Sequence, residues 1–322
     1  SAAASDVYKR QTYNGRLSEF AEAVEMIPLE FTEESILGEI KKVVLSEDFI
    51  FVMERDNSAG IYTFDRNGKF LYRIGSRGQG PKELVDVADF SINEKDRLIY
   101  IFDGARTKVC VFSFGNEFIK TIPMDYYATN MEYQDGLFYL YRERASYGTP
   151  PYSLVIKDLE GNLVEKYYPM PKLPSIHECV FCKRENDILF AQDMNDSVFV
   201  LSGGKLSPLY YIDYKDRSMK PEDREDIRQN VRPAIQILLE KKTLAGIKDI
   251  FEINDKVFIK SVNVIAPVLT VYDKKRKEVK TFQHWEDDIL FIANGHPMGQ
   301  YKDYLLLLHH VEDCLLYTSD PA

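Results

Sequence analysis

The segment Ile74–Leu84, "IGSRGQGPKEL", carries the residue types of a phosphate-binding loop. Three glycines stand with an arginine and a lysine directly after an apolar run, and glycine-rich backbone can wrap a phosphate with its N–H groups. Such a loop should lead into a helix whose N-terminus faces the anion. Alternating strand residues follow here instead, and neither GxxxxGKS/T nor GxGxxG is present. We therefore interpret the segment as a structural turn.

A zinc site is the second chemistry that residue types suggest, at His177–Cys182, "HECVFC". A structural zinc ion needs four ligands, usually in two close pairs, and no second Cys/His pair has a suitable spacing. In an extended strand Cys179 and Cys182 would point to opposite faces. We expect buried strand cysteines here, and together with Cys110 they form no convincing disulfide framework.

A metal-dependent reaction of the lactonase or lyase type is the third possibility, with Ca²⁺ or Zn²⁺ as the metal. Such a site needs carboxylate, amide or imidazole ligands that converge from several strands. The candidates on expected inner strands are Asp89, Asn130, Glu132 and Asn254. No GxSxG elbow is present. This enzyme is the alternative function, and outside it we expect no cofactor and no bound metal.

The elements that would position these residues come from an internal repeat. The segment from Phe49 to Gly75 aligns without gaps to a segment that lies 48 residues later, so that Ile50 meets Leu98 and Phe64 meets Phe112. Looser copies include "GLFYLYRE", "DILFAQDMNDSVFVLSGGKLSPLYYI" and "DKVFIKSVNVIAPVLTVYDKKRKEVKTF", and another begins near Ile289. Each copy shows strands joined by polar turns, which is typical of propeller blades.

The repeat predicts an all-β, six-bladed β-propeller over residues 12–313. Without the helical insert, this segment holds about 5.6 copies of the repeat. We therefore expect the last blade to be truncated, and N-terminal strands such as Ala23–Glu30 to complete it. An irregular sandwich of unrelated hairpins is the competing interpretation.

Residues 215–246, "KDRSMKPEDREDIRQNVRPAIQILLEKKTLAG", interrupt the strand pattern after the fourth blade. Apolar residues recur there at helical spacing, and Pro233 should kink or split the helix. These apolar residues are Ile227, Val231, Ile235, Leu238 and Leu239. The insert is either a flap packed on a blade edge or a lid or docking helix over one face of the ring.

A family resemblance is carried by "IYTFDRNGKFLYRIGSRGQGPKELVDVADFSINEKDRLIYIFD". This segment resembles an NHL-type repeat boundary, and it is similar to a six-bladed β-propeller family of Bacteroidota with an "IGxxGxGPGE"-like crossover between blades. Lys82 replaces a glycine of that motif. The segments "VEMIPLE…ESILGEIKKVVLSEDFIFV" and "DDILFIANGHPMGQYKDYLLLL" resemble the family's opening and late blade. The resemblance implies an exported or lipid-anchored protein, in the periplasm or on the surface, mostly without an assigned activity.

A non-catalytic binding module of the bacterial cell envelope is the main functional hypothesis. A propeller gathers loops from every blade around one axis, which favours ligand binding. Tyrosine-rich stretches such as "LYYIDY" could stack on a sugar or a peptide. The expected partner is a glycan, a peptide or an envelope protein, and we expect the protein to be a monomer. The candidate contact residues are Arg77 and Lys82 on the crossover, with Tyr126, Tyr127 and His296 on loops.

The overall charge and the chain ends set the remaining expectations. Forty-one basic against 51 acidic residues give a net charge of −10, which argues against a nucleic-acid partner. No apolar run reaches the roughly 20 residues of a membrane span.

One coding sequence for Asp6–Gln11, GAT GTG TAT AAG AGA CAG, has a reverse complement that encodes Cys314–Ser319 in a shifted frame. It resembles a sequencing-adaptor end, so residues 1–11 and 314–322 are predicted to be adaptor-derived, and the natural signal segment to be missing.

Overall fold

The computed structural model describes most of the chain as antiparallel β-sheet. The described residues are 13–55, 60–142, 152–169, 180–192, 195–229, 233–244, 246–261, 268–289 and 296–309. Both predicted adaptor-derived ends lie outside these ranges. Within them, five four-stranded blades are each built from strands that are consecutive in sequence.

The blades follow the repeat in order. Blade 1 holds β2 (Ile40–Leu45), β3 (Phe49–Glu54), β4 (Ile61–Asp65) and β5 (Phe70–Ile74). Blade 2 holds β6 (Val87–Asn93), β7 (Leu98–Asp103), β8 (Lys108–Ser113) and β9 (Phe118–Pro123). Blade 3 holds β10 (Asn130–Gln134), β11 (Leu137–Tyr141), β12 (Tyr152–Lys157) and β13 (Leu163–Pro169). Blade 4 holds β14 (Val180–Lys183), β15 (Ile188–Ala191), β16 (Ser197–Ser202) and β17 (Lys205–Tyr211). Blade 5 holds β18 (Ile247–Ile253), β19 (Lys256–Ser261), β20 (Val268–Asp273) and β21 (Glu278–Glu286).

The prediction of six blades is wrong, because the last copy of the repeat forms only a two-stranded hairpin in the described residues. This hairpin consists of β22 (His296–Tyr301) and β23 (Tyr304–Leu308). It lies between the inner strands of blades 5 and 1, in contact with β18 and β2. The ring therefore has five full blades and one hairpin.

The hydrophobic core lies mainly between neighbouring blades. Successive residues of the middle strands are apolar, and they point alternately to the two faces of the sheet. Each sheet therefore has two apolar faces, and a blade must stack on its neighbours to cover them. The cluster between blades 1 and 2 includes the buried side chains of Phe51, Ile74, Phe90 and Ile99. Equivalent clusters join blades 2 and 3, blades 3 and 4, and blades 4 and 5. The gapless copies thus correspond to blades 1 and 2, and a β-bulge recurs at equivalent positions, Thr63/Phe64 and Val111/Phe112.

The crossover Gly75–Leu84 is held by its own carboxylate and by an arginine from blade 2. Glu83 accepts a hydrogen bond from the Gly80 N–H at 2.7 Å, and a Cβ on Gly78 would overlap the Glu83 carboxylate. The Arg106 guanidinium donates to the carbonyls of Gly80 (3.1 Å) and Glu83 (3.0 Å). An internal carboxylate thus lies where a phosphate loop would bind an anion, and the structural interpretation of this segment is supported.

The N-terminal segment attaches to blade 5 and then runs along blade 1. Strand β1 (Tyr13–Arg16) pairs in parallel with β21 as a fifth strand of blade 5. The prediction that Ala23–Glu30 completes the last blade is wrong, since this stretch is not a strand and lies along blade 1. There the Glu30 N–H donates to the Gly68 carbonyl at 2.7 Å.

Gly15 in β1 should be sensitive to substitution because a Cβ there would overlap the Phe282 ring. We expect Gly15→Ala to lower the free energy of unfolding by about 1–3 kcal/mol, the usual cost of overpacking. Gly115→Ala is the matched control, since the nearest atom to its Cβ would be Ser113 Oγ at 3.7 Å. Urea unfolding midpoints measure both variants. Equal effects at the two positions would contradict the tight packing of β1.

The insert forms two helices between blades 4 and 5, as the position of Pro233 predicts. They are α1 (Pro221–Arg228) and α2 (Ala234–Lys241), and α2 begins directly after Pro233. Ile227 and Leu238 are buried, whereas Ile235 and Leu239 are exposed and Val231 lies outside the described residues. The two helices are joined by an ion pair between Asp223 and Lys241.

None of the helices in the described part of the chain is long and apolar enough to cross a lipid bilayer.

Candidate functional site

One face of the ring collects the connections between blades. Because four antiparallel strands alternate in direction, the inner strand of a blade begins on the side where the outer strand ends. The crossovers at 75–86 and 124–129 and the insert after β17 therefore open on the same side. We call this side the crossover face.

A groove of about 460 Å³ lies on the crossover face, between the end of blade 4 and the insert. Small-molecule sites usually have volumes of about 300–1,000 Å³, so the groove can hold a ligand of this kind. We call it the insert groove. It is lined by Asn195, Asp196, Tyr211, Lys215, Asp216, Ser218, Met219, Lys220, Pro221 and Arg224.

Asp196 links the blade to the insert. Its backbone carbonyl accepts the Ile212 N–H at 2.7 Å, which joins the start of β16 to the end of β17. Its Oδ2 accepts a hydrogen bond from Arg224 Nη2 at 2.7 Å, and Arg224 Nε donates to the Met219 carbonyl at 3.3 Å. The first turn of α1 is thereby fixed over the end of blade 4.

Two oxygen atoms of residues that line the insert groove, Asp196 Oδ1 and Ser218 Oγ, are buried and have no hydrogen-bond partner within the described part of the chain. Asp196 is only 5% exposed. Burial raises the pKa of its carboxyl group, and Arg224 opposes that shift without cancelling it. Buried polar atoms in proteins are normally paired with protein groups or ordered water. The wall of the insert groove therefore contains hydrogen-bonding capacity that no described protein group uses, just below the accessible surface.

Two tyrosines of the "LYYIDY" stretch have opposite environments. Tyr211 lines the insert groove and is 57% exposed, which leaves its ring available for stacking. Tyr214 is buried, and its hydroxyl is hydrogen-bonded to Ser261 Oγ at 2.6 Å. The tyrosine pattern of the sequence could not distinguish the exposed ring from the core ring.

A second polar cluster lies where inner strands meet at the axis, and we call it the axial cluster. It consists of Lys42, Asp89, Ser91, Glu132 and Lys183. Lys42 Nζ lies 3.0 Å from Asp89 Oδ1 and 3.5 Å from Glu132 Oε2. Lys183 Nζ lies 3.8 Å from Glu132 Oε1, and Ser91 Oγ also donates to that oxygen. Two carboxylates thus face two ammonium groups from four different blades.

The axial cluster also bonds neighbouring inner strands directly. Asp89 Oδ2 accepts the Met131 N–H at 2.7 Å, and Lys42 Nζ donates to the Phe90 carbonyl at 2.7 Å. Burial lowers the pKa of Lys42, but Asp89 and Glu132 more than offset it, so the net pKa is raised. Lys42 therefore stays charged between the two carboxylates, and the cluster holds blades together.

The enzyme alternative gains no support from this arrangement. Asp89 and Glu132 do converge, as expected, but Lys42 occupies the space between them. The side chain of Asn130 accepts a local bond from Thr129 Oγ1, and Asn254 is exposed in the turn between β18 and β19. The described residues contain no group of three or more His, Cys, Asp or Glu that could hold a metal ion.

The predicted contact residues fall into three environments. Arg77 and Lys82 are exposed on the crossover, where Lys82 Nζ lies 5.9 Å from the centre of the Phe118 ring. Tyr127 is 36% exposed, and the Arg142 guanidinium lies 4.8 Å from its ring centre. These three residues reach the crossover face but do not line the insert groove.

Tyr126 lies on the crossover loop at 124–129, as expected, but its side chain is buried, whereas the expectation that His296 lies on a loop is wrong. Tyr126 is 2% exposed, and its hydroxyl donates to the carbonyls of Tyr152 (2.9 Å) and Ser153 (3.0 Å). Its ring is therefore part of the core between blades 2 and 3. His296 begins β22, and its side chain lies outside the described part of the structure.

The structure describes two of the three cysteines that were expected to be buried in strands, Cys110 and Cys182. Cys110 and Cys182 are buried free thiols, as expected of strand cysteines. Burial raises the pKa of both thiols. The zinc hypothesis for "HECVFC" requires His177 and Cys179 as ligands, and both lie outside the described residues.

The sequence did not indicate Asp196, Ser218 or Arg224 as site residues. They lie in no motif, and they meet only because the insert folds back on the end of blade 4. An acidic residue directly before a strand and a helix that starts with "PEDR" are common surface features, so no local signal could have identified them.

Fold and site together define the chain as an all-β propeller with a helical insert and a polar groove on its crossover face. A family model described as "Domain of unknown function (DUF4934)" matches residues 4–320, so the chain belongs to that family. No curated protein matches the chain in sequence.

Two solved structures from Bacteroides share the fold. One is a candidate exported protein of Bacteroides fragilis, with 14% identity and a TM-score of 0.68 over 80% of this chain and 74% of that chain. The other is a member of the DUF4221 family from Bacteroides vulgatus, with 14% identity and a TM-score of 0.53 over 80% of this chain and 84% of that chain. At these identities the similarity shows the fold alone.

Proposed function

We propose that the protein is a non-catalytic binding module of the bacterial cell envelope and that the insert groove is its ligand site. The observation that carries this proposal is the pair of buried, unpartnered oxygens, Asp196 Oδ1 and Ser218 Oγ, in a groove of ligand size. An isolated buried acceptor costs free energy, which a bound donor would recover. Arg77, Lys82 and Tyr127 are proposed as further contacts for a large partner on the same face.

The envelope location is part of the proposal. It is supported by the fold shared with a candidate exported protein, together with the crossover motif. Lipid anchoring and an NHL-type repeat remain predictions. Fractionation of cells that produce the natural full-length protein tests the location, and recovery in the cytoplasm would contradict it.

Binding is tested by the melting temperature of the chain with neutral trisaccharides, with trialanine, and with Ca²⁺ or Zn²⁺ alone. A specific ligand raises the stability by mass action, by about 2.7 kcal/mol at a concentration of 100 Kd. We expect a trisaccharide or the peptide to raise the melting temperature and to be recovered chemically intact. Turnover of the probe, or stabilisation by a metal alone, would contradict the proposal and favour the enzyme.

The site assignment is tested by Tyr211→Ala, which should abolish the stabilisation. Tyr304→Ala is the matched control, since Tyr304 is 56% exposed and lies at the turn between β22 and β23, away from the insert groove. An equal loss in the two variants would contradict the assignment of the groove.

A further inference from the structure

We infer that the insert groove is built for a neutral saccharide, whose ring hydroxyl would bond Asp196 and Ser218 and whose apolar face would stack on Tyr211. This inference rests on the proposed binding function and adds the chemical class of the ligand.

The two unpartnered oxygens determine which polar groups the ligand must offer. The ionised Asp196 carboxylate can only accept hydrogen bonds, whereas the Ser218 hydroxyl can donate or accept. Both atoms are buried and have no hydrogen-bond partner among the described residues, so a ligand must displace part of the groove wall to reach them. A sugar hydroxyl also donates one hydrogen bond and accepts others, so the hydroxyls of one sugar can serve both atoms. An apolar ligand would leave both of them unpaired.

The charges around the insert groove favour an uncharged ligand. Arg224 Nη2 lies 2.7 Å from Asp196 Oδ2, so a cationic ligand at Asp196 would lie beside a fixed guanidinium. An anionic ligand would instead lie beside the Asp196 carboxylate. The charged side chains of the lining are nearly balanced, with Lys215, Lys220 and Arg224 against Asp196 and Asp216. A neutral donor avoids both repulsions.

The insert groove also offers apolar surface to a ligand. Tyr211 presents an exposed ring at the end of β17, and Met219 and Pro221 add apolar atoms to the same lining. A pyranose ring has an apolar C–H face and a hydroxyl rim. Stacking on one wall and hydrogen bonding on the other therefore match the two chemistries of the groove.

The test uses calorimetric titration of the whole chain with trisaccharides matched in size and different in charge. The neutral set contains gluco-, manno- and galacto-configured trisaccharides and N-acetylated chitotriose. The charged set contains the deacetylated chitotriose, which is cationic, and trigalacturonate, which is anionic, and trialanine represents peptides. We expect at least one neutral sugar to bind at least tenfold more tightly than every charged probe and than trialanine.

Ser218→Ala gives a readout that a purely structural role would not produce. Because it removes a buried hydroxyl without a partner, the melting temperature of the free protein should stay the same or rise. The affinity for the neutral sugar should nevertheless fall about tenfold. Tyr211→Ala should cause a similar loss, and Tyr304→Ala should cause none.

The outcomes separate this inference from the proposed function. If trialanine or a charged sugar binds best and Tyr211→Ala weakens it, the groove is a binding site but the saccharide inference is wrong. If no probe binds, or if Tyr211→Ala leaves every affinity unchanged, both the inference and the groove assignment are wrong. Unchanged sugar affinity in Ser218→Ala would also overturn the proposed hydrogen bonding.

Discussion

Replacing Lys42 with methionine is expected to lower the free energy of unfolding by about 3–5 kcal/mol, the cost of removing one partner from a buried ion pair. The side chains of Asp89 and Glu132 are only 4% and 7% exposed, and both lie next to Lys42 Nζ. Without that ammonium group, the Asp89 carboxylate loses its only ion-pair partner in the axial cluster. Chemical unfolding followed by circular dichroism measures the loss.

Lys41→Met is the matched control, because Lys41 is the neighbouring residue of β2 and, among the described residues, its Nζ donates to the Ala88 carbonyl alone, at 2.6 Å. We expect it to cost less than about 1 kcal/mol, as one hydrogen bond at a half-exposed site. Adding Asp89→Asn to Lys42→Met should recover part of the stability, since it removes the unpaired charge. If the two single variants are equally destabilised, the axial cluster does not hold the blades together.

Gly68→Ala is expected to cost roughly 2 kcal/mol more than Gly136→Ala, by the usual cost of overpacking. Both glycines lie in β-turns with nearly the same positive φ, +86° and +83°, so an alanine pays the same conformational cost of about 1–2 kcal/mol at each. A Cβ on Gly68 would overlap the backbone oxygen of Pro28, whereas a Cβ on Gly136 would meet no atom within 4 Å. The difference in unfolding free energy between the two variants therefore measures the steric cost of the close contact between Gly68 and the N-terminal segment.

Urea unfolding of the two variants measures that difference. Gly161→Ala serves as a second test, because a Cβ there would overlap the Pro123 carbonyl oxygen at φ +85°. It should behave like Gly68→Ala. A cost at Gly68 no larger than that at Gly136 would show that the N-terminal segment does not press on this turn.

Local features of the fold could be predicted because they depend on neighbouring residues. The repeat predicted the strands of blades 1 and 2, where Ile50 aligns with Leu98 and Phe64 with Phe112. Pro233 predicted the break between the two helices because proline cannot continue a helix. The motif alone does not reveal why the crossover contains Glu83. In the structure its carboxylate accepts a hydrogen bond from the backbone of its own loop, where a phosphate loop would bind an anion.

Features that depend on long-range closure could not be predicted. The blade number depends on how the final hairpin and β1 share the end of the ring, and a division of chain length contains no such information. Asp89 and Glu132 were expected at the axis, but their partners Lys42 and Lys183 were not, because two exposed-looking lysines in different repeats give no sign of convergence. For the same reason, the sequence does not show that Asp196 of blade 4 meets Arg224 of helix α1.

The pairing of β1 with β21 has a consequence for the order of folding. Ser18 bonds Asp288, and these two residues lie 270 positions apart in sequence. Contacts of such long separation form late, because the loop between them must first be ordered. During synthesis β1 emerges before β21, and the strands of blades 1 to 4 separate the two in sequence. The outer edge of blade 5 therefore stays open until β21 has formed, so that the attachment of β1 is expected to come late in folding.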